Sequence, residues 1–188
     1  RESDLRLSWR EGKVHILKML EGQIVTEDVQ EEVGYTEEKG RKVFKPDGTY
    51  QKIAAVERHK NTGKIGVGIV KGFGLRGGAI ASSVSHDSHN LIVIGDNDHD
   101  MYLAVQELLR TQGGYTLVEN GQVFDTLPLP IMGLMSDAGY EKVNEKLARM
   151  IPKAHEMGIP EGFDPFITLS FMALPVIPEI RITPRGVY

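Results

Sequence analysis

The stretch GFGLRGGAIASSVSHDSHNLIVIGDNDHD, Gly72 to Asp100, sets the frame for the rest of the chain. Its apolar runs, Ala79 to Val84 and Leu91 to Ile94, read as buried strands. Between them stand Ser85, His86, Asp87, Ser88, His89 and Asn90, polar groups that cost free energy to order and desolvate. Strand ends give such residues a rigid support. On an extended backbone Ser85, Asp87 and His89 would share one face and His86, Ser88 and Asn90 the other. In a tight or helical turn the two histidines could converge. Both arrangements stay open, as does a plain hydrogen-bonded turn that satisfies buried backbone groups.

Upstream, Lys64 to Val70 alternates β-branched residues with glycines that allow close backbone approach. The glycines of GFGLRGG complete neither GxGxxG nor GxxxxGK[ST], so a bend between strands is preferred to a phosphate cradle. Downstream, Asp96, Asp98 and Asp100 are spaced like the first ligands of an EF-hand loop, with Glu107 at its twelfth position. Met101 stands where that loop needs glycine, which favours an acid-rich helix N-terminus instead. Asp98 is predicted to cap a helix reaching about Arg110, with Met101, Ala104, Val105, Leu108 and Leu109 on one face and Gly113-Gly114 ending it.

Asn120-Gly121 predicts a two-residue hairpin between Tyr115–Glu119 and Gln122–Thr126, because both turn positions take positive φ. Lys45-Pro46-Asp47-Gly48 is a turn signal, expected to join two strands, Arg41–Phe44 and Tyr50–Glu57. Leu5 to Val33 reads as strands broken by turns, and the acids from Glu27 to Glu38 as a charged edge or solvated loop. His59 is expected at the surface. A second helix, capped by Ser136, carries Tyr140, Val143, Leu147, Met150 and Ala154 at helical spacing, with Pro152 kinking it or ending it early. LPLPIMGLM, Leu127–Met135, is expected to be ordered but irregular; Pro160–Pro178 is apolar and proline-punctuated, with FMALPVIP at its end read as irregular, and Glu179–Thr183 could close a sheet as a last strand. Hairpin signals outnumber βαβ crossovers, which predicts an α+β fold, mostly antiparallel, with at least two helices packed on the sheet. One domain is expected over residues 1–188, with a strand-rich entry region at 1–60 and the main body at 61–188.

The net charge of −4 and pI near 5.9 supply no basic field for nucleic acid or an anionic membrane surface. No apolar run approaches the roughly 18 residues needed to span a bilayer. The absence of cysteine excludes disulfides and thiolate metal sites and fits a reducing compartment, so the expected location is the cytoplasm. A start at Arg1 suggests a piece of a longer polypeptide.

The runs GGAIASSVSHDSHNLIVIG, LPLPIMGLMS and PFITLSFMALPVIPEIRIT resemble the C-terminal domain of the bacterial and archaeal adenine deaminases, metal-dependent members of the amidohydrolase superfamily. The resemblance extends from about Lys64 to Val187. It implies hydrolysis of adenine to hypoxanthine and ammonia by a metal-bound hydroxide, in purine salvage. It also implies that the divalent metal, Mn or Fe, is held mainly by an N-terminal TIM barrel absent from this chain. The chain itself has no His-x-His pair, and neither His-x-Glu nor the Pro-Cys-x-x-Cys of the zinc deaminases. No metal ligand is therefore assigned here.

On this reading the candidate catalytic residues are His86, Asp87 and His89, for proton transfer, substrate contact or auxiliary metal binding, with Asp87 orienting an imidazole. Ser85, Ser88 and Asn90 are candidates for hydrogen bonding to substrate. The expected partners are adenine, the barrel and further copies of the parent. An alternative is a non-catalytic assembly module that docks through LPLPIMGLM and FMALPVIP, since apolar irregular segments make poor free surface.

Overall fold

Strands that read in sequence as unbroken apolar runs divide their side chains between two cores. The structure, a computed structural model, describes residues 1–188. In chain order its elements are β1 (Val14–Met19), β2 (Thr26–Glu31), β3 (Tyr35–Glu38), β4 (Arg41–Phe44), β5 (Tyr50–Val56), β6 (Ile65–Lys71), β7 (Gly78–Ser82) and β8 (Leu91–Gly95). There follow α1 (Asp98–Arg110), β9 (Gly114–Glu119), β10 (Gln122–Pro128), α2 (Tyr140–Glu156), α3 (Pro165–Met172), β11 (Ile182–Thr183) and β12 (Gly186–Val187). Eight strands form one sheet in the order β10-β9-β7-β8-β5-β6-β1-β2. All neighbours are antiparallel except β1 against β6. The fold is α+β, as the turn signals predict.

Side-chain alternation along the strands feeds both faces. Ile53, Ala55, Ile80, Ile92, Ile94 and Leu117 join Met150 and Ala154 of α2 and Phe166, Leu169 and Met172 of α3 in the larger core. Ala54, Ala79, Ala81, Leu91, Val93 and Val118 face the other way, onto Met101, Ala104, Val105 and Leu108 of α1. Ile53, Ile80, Ile92 and Ile94 are fully buried, each contributing roughly 2 kcal/mol. A strand covered on both faces has no polar side to show. That is why β7 and β8 look apolar throughout.

The Asn120-Gly121 hairpin forms as predicted, with φ of 49° and 79°, and β2 is the acidic edge strand. A charged edge discourages further pairing. The glycines of β6 also do what their spacing suggests. A Cβ on Gly66 would lie 1.9 Å from the Thr183 carbonyl oxygen, and one on Gly68 would lie 2.6 Å from Val187 Cγ2. The β11–β12 hairpin thus lies directly on β6.

Several local expectations are corrected. Lys45–Gly48 joins β4 to β5 as its turn residues predict, but the two strands lie in different sheets, β4 pairing with β3 and β5 with β6 and β8. Its turn chemistry is intact, because Asp47 Oδ1 accepts from the Thr49 and Tyr50 amides, but the buried β5 finds longer apolar partners in the main sheet. Leu5–Trp9, read as strand-like, forms no strand beyond a single bridge from Ser8 to Val43, and Glu2–Leu5 before it is a short 3-10 turn. Asn97, one residue before Asp98, caps α1 through a 2.8 Å bond to the Asp100 amide. Gly139 precedes α2, which runs through Pro152 to Glu156. Pro160–Pro178 contains α3, capped by Asp164 with Pro165 in its first turn. β11 pairs with β12 instead of closing the sheet, whose edges are β10 and β2.

Candidate active-site loop

Residues 83–90 connect β7 to β8, and their backbone is fastened from several directions. Ser83 Oγ donates to the Gly133 carbonyl and accepts from the Gly114 amide, both at 2.7 Å. The His86 amide donates to Ser170 O of α3 at 2.8 Å, and the His89 amide to Ser85 O at 2.7 Å. Asp87 and His89 take φ of 61° and 45°, the left-handed region in which Asp is tolerated and His is strained by about 1 kcal/mol. The loop is therefore a tight turn and not an extended strand.

This turn separates the candidate residues into layers. Ser85 is fully buried, with Oγ 3.1 Å from Ser88 Oγ, and Asn90 is buried with Oδ1 unpartnered. His86 and Asp87 project outward, their side chains 53% and 74% exposed, with Nδ1 and Oδ1 3.2 Å apart. His89 does not join them: its Nδ1 is buried without a partner. The histidines three residues apart in sequence thus sit in different environments, one a surface group and one part of the turn.

Two residues that sequence left unassigned hold the loop. Arg58 Nε donates to the His89 carbonyl at 2.6 Å, and its Nη2 donates to the Met132 carbonyl. Burial lowers the guanidinium pKa, and Gly133 lies against it. His59 is exposed as expected, yet its Nε2 donates to the Ser88 carbonyl at 2.8 Å. Neither role has a local sequence signature, since both act on carbonyls some thirty residues away. Phe171 of α3 supplies a third support by stacking on the His86 ring, and it also lines an apolar cleft with Met19, Ile24, Phe163 and Ile167.

The other polar motifs are occupied by structure. Asp96 accepts from the Gly77 and Gly78 amides at 2.6 and 3.1 Å, which fills the glycine-rich bend with a carboxylate of the chain itself. Asp98 pairs with buried Lys52, and Asp100 accepts from the Gly121 amide at 2.9 Å, so the acids pin α1 to its neighbours. His15 meets Asp28 at 2.9 Å on the surface and His155 Nδ1 meets Ile159 O. Nowhere are three His, Asp or Glu side chains grouped as metal ligands. A two-residue His86–Asp87 pair does not fit a metal centre.

What the loop can offer is an oriented imidazole. With Nδ1–H directed at the Asp87 carboxylate, His86 Nε2 is left free to accept or return a proton. The sequence profile of the adenine deaminase C-terminal domain matches residues 23–188. The chain belongs to the adenine deaminase C-terminal domain family. It is 52% identical over 98% of its length to an adenine deaminase of Desulfitobacterium hafniense, of which it covers 32%. With the enzymes so named from Clostridium acetobutylicum and Bacillus subtilis the identities are 44% and 43%, covering 100% and 95% of this chain and 33% and 30% of those proteins. The chain therefore spans about a third of the length of the curated relatives it matches. The adenine deaminase match includes β2 and the whole main body, beyond the Lys64–Val187 span that carries the resemblance in sequence. No helix is long and apolar enough to cross a membrane.

Proposed function

We propose that this chain is the C-terminal domain of a metal-dependent adenine deaminase and presents the loop Ser85–Asn90 to the substrate side of an active site built mainly by a barrel domain. The observation that carries this reading is the contrast within the loop. Its backbone is held by Ser170, Arg58 and His59 while the His86–Asp87 pair is exposed at the surface, with the imidazole stacked on Phe171. A turn with a merely structural role has no need to expose an oriented imidazole–carboxylate pair.

In the hydrolysis of adenine to hypoxanthine and ammonia, a water oxygen joins the ring carbon and the bond from that carbon to the exocyclic nitrogen breaks. The departing nitrogen needs a proton. His86 Nε2 is the group of this chain suited to deliver it, with Asp87 holding the imidazole in orientation. His89 and Ser85 keep the turn, and Ser88 and Asn90 border the substrate side. Mn or Fe is assigned to the barrel, because the residues of this chain offer no ligand set. The cytoplasm, purine salvage and a homo-oligomeric parent complete the reading.

Ammonia release from adenine tests it, measured for the parent barrel with its metal, alone and mixed with this chain. Turnover that rises only in the mixture supports a contributing domain; equal turnover with and without the chain removes it from the site. A second reading, as an assembly module, is favoured by exposed apolar side chains on the two proline-rich segments: Met132 is 76% exposed and Val176 81%. Sizing distinguishes it, since self-association of the isolated chain without the barrel belongs to that reading.

A further inference from the structure

Beside the loop an open pocket gathers three cations, Lys60, Lys64 and Arg185, and Ser88 and Asn90 also line it. None of the three forms an ion pair or a side-chain hydrogen bond within the chain, although the chain as a whole carries a net charge of −4. The acid of the pocket, Glu57, is already satisfied. Its Oε1 accepts from the His59 and Lys60 amides, both at 2.6 Å, and its Oε2 from the Thr62 amide and hydroxyl at 3.0 and 2.9 Å. These bonds, that of the Thr62 amide foremost, hold its pKa down at about 2, so the carboxylate is saturated with donors and not available to the lysines.

The surplus in this pocket is one of positive charge. We propose that it is a binding site for a phosphate oxyanion, free or as the monoester of a nucleotide, with Lys60, Lys64 and Arg185 balancing its charge and donating to its oxygens. Arg and Lys side chains around a donor-rich concavity are the usual means of holding such groups. The site is joined to the candidate loop through His59, which both neighbours the cations and donates to the Ser88 carbonyl. Occupancy would therefore be felt at Ser85–Asn90.

Calorimetric titration of the chain with inorganic phosphate and with AMP, at low ionic strength, tests the site directly. Binding is expected for both. AMP tighter than phosphate identifies a nucleotide monoester as the source, and equal affinity identifies free phosphate. The triple variant Lys60→Gln, Lys64→Gln, Arg185→Gln, all on exposed side chains, should weaken binding at least tenfold. Removing three cations elsewhere, Lys13→Gln, Lys39→Gln and Lys142→Gln, should leave it unchanged and so separates a site from a net-charge effect. No binding by the unmodified chain at millimolar ligand overturns the proposal, as does equal binding by the triple variant. Loss of barrel association in the triple variant, with no phosphate or AMP bound by the parent chain, would reassign the cations to protein docking. None of these readouts depends on adenine turnover, so the proposal can fail while the deaminase reading stands.

Discussion

The imidazole of His86 lies over the ring of Phe171, with centroids 5.5 Å apart and planes 19° from parallel. Together with the bond from the His86 amide to Ser170 O, this stacking fixes a catalytic candidate of the β7–β8 loop to α3, a helix more than eighty residues later in the chain. The exposed imidazole is thereby oriented without being buried.

Replacing Phe171 with alanine should release that ring. The expected cost is about 1 kcal/mol for the lost aromatic contact. His86 ring-proton resonances should lose the upfield shift that stacking imposes, while those of His155 stay in place. Unmoved His86 resonances would mean that the stacking does not persist in solution.

Gly66 is predicted to tolerate no side chain. Its substitution by alanine places Cβ against the Thr183 carbonyl, which is backbone and cannot swing aside, and should destabilise the fold by about 1–3 kcal/mol. Gly34→Ala, where nothing lies within 4 Å, is the control and should stay within about 0.5 kcal/mol. Urea denaturation of both variants reads the difference.

Lys52 and Asp98 join β5 to the first turn of α1, with side-chain exposures of 3% and 22%. Removing the acid alone strands a buried ammonium, so Asp98→Ala should cost roughly 3 kcal/mol. Lys52→Met, which takes away the charge and keeps the volume, should cost less than about 1.5 kcal/mol. The reverse order in a denaturation experiment would show that the pair is less buried than the structure places it.

Glu57 makes stability depend on acid pH. Its pKa is depressed to about 2 in the folded chain against 4.5 ordinarily, so the unfolded state binds more protons between those values. Its contribution is complete above pH 4.5 and is lost as pH falls toward 2. Glu57→Gln should flatten the fall in stability across that window and leave the slope above pH 5 unchanged, as thermal melts at stepped pH would reveal.

Much of the architecture is legible in sequence because it rests on local chemistry. Asn120-Gly121 demands a tight hairpin wherever it stands between alternating strands, and the glycines of β6 announce close approach. What sequence reasoning misses is decided at long range. Lys45–Gly48 has good turn residues, but whether its flanking strands pair depends on competition from β3, β6 and β8. α3 hides in an apolar run whose cap, Asp164-Pro165, is readable only once the run is allowed to be helical. The candidate loop shows the same division. Its polar content marks Ser85–Asn90 in sequence, while the separation of His86 from His89 follows from left-handed turns at Asp87 and His89 and from Arg58, none of which spacing discloses.

The most direct measurement is adenine turnover by the parent enzyme carrying His86→Ala, with metal content and melting temperature determined on the same preparation. Because His86 is a surface side chain, fold and metal loading should be unchanged. The account predicts a fall in kcat of about 100-fold or more, the scale of a lost proton-transfer group, in a fully metallated and folded protein. Undiminished kcat in that protein would contradict it and leave Ser85–Asn90 as a turn that serves the fold alone.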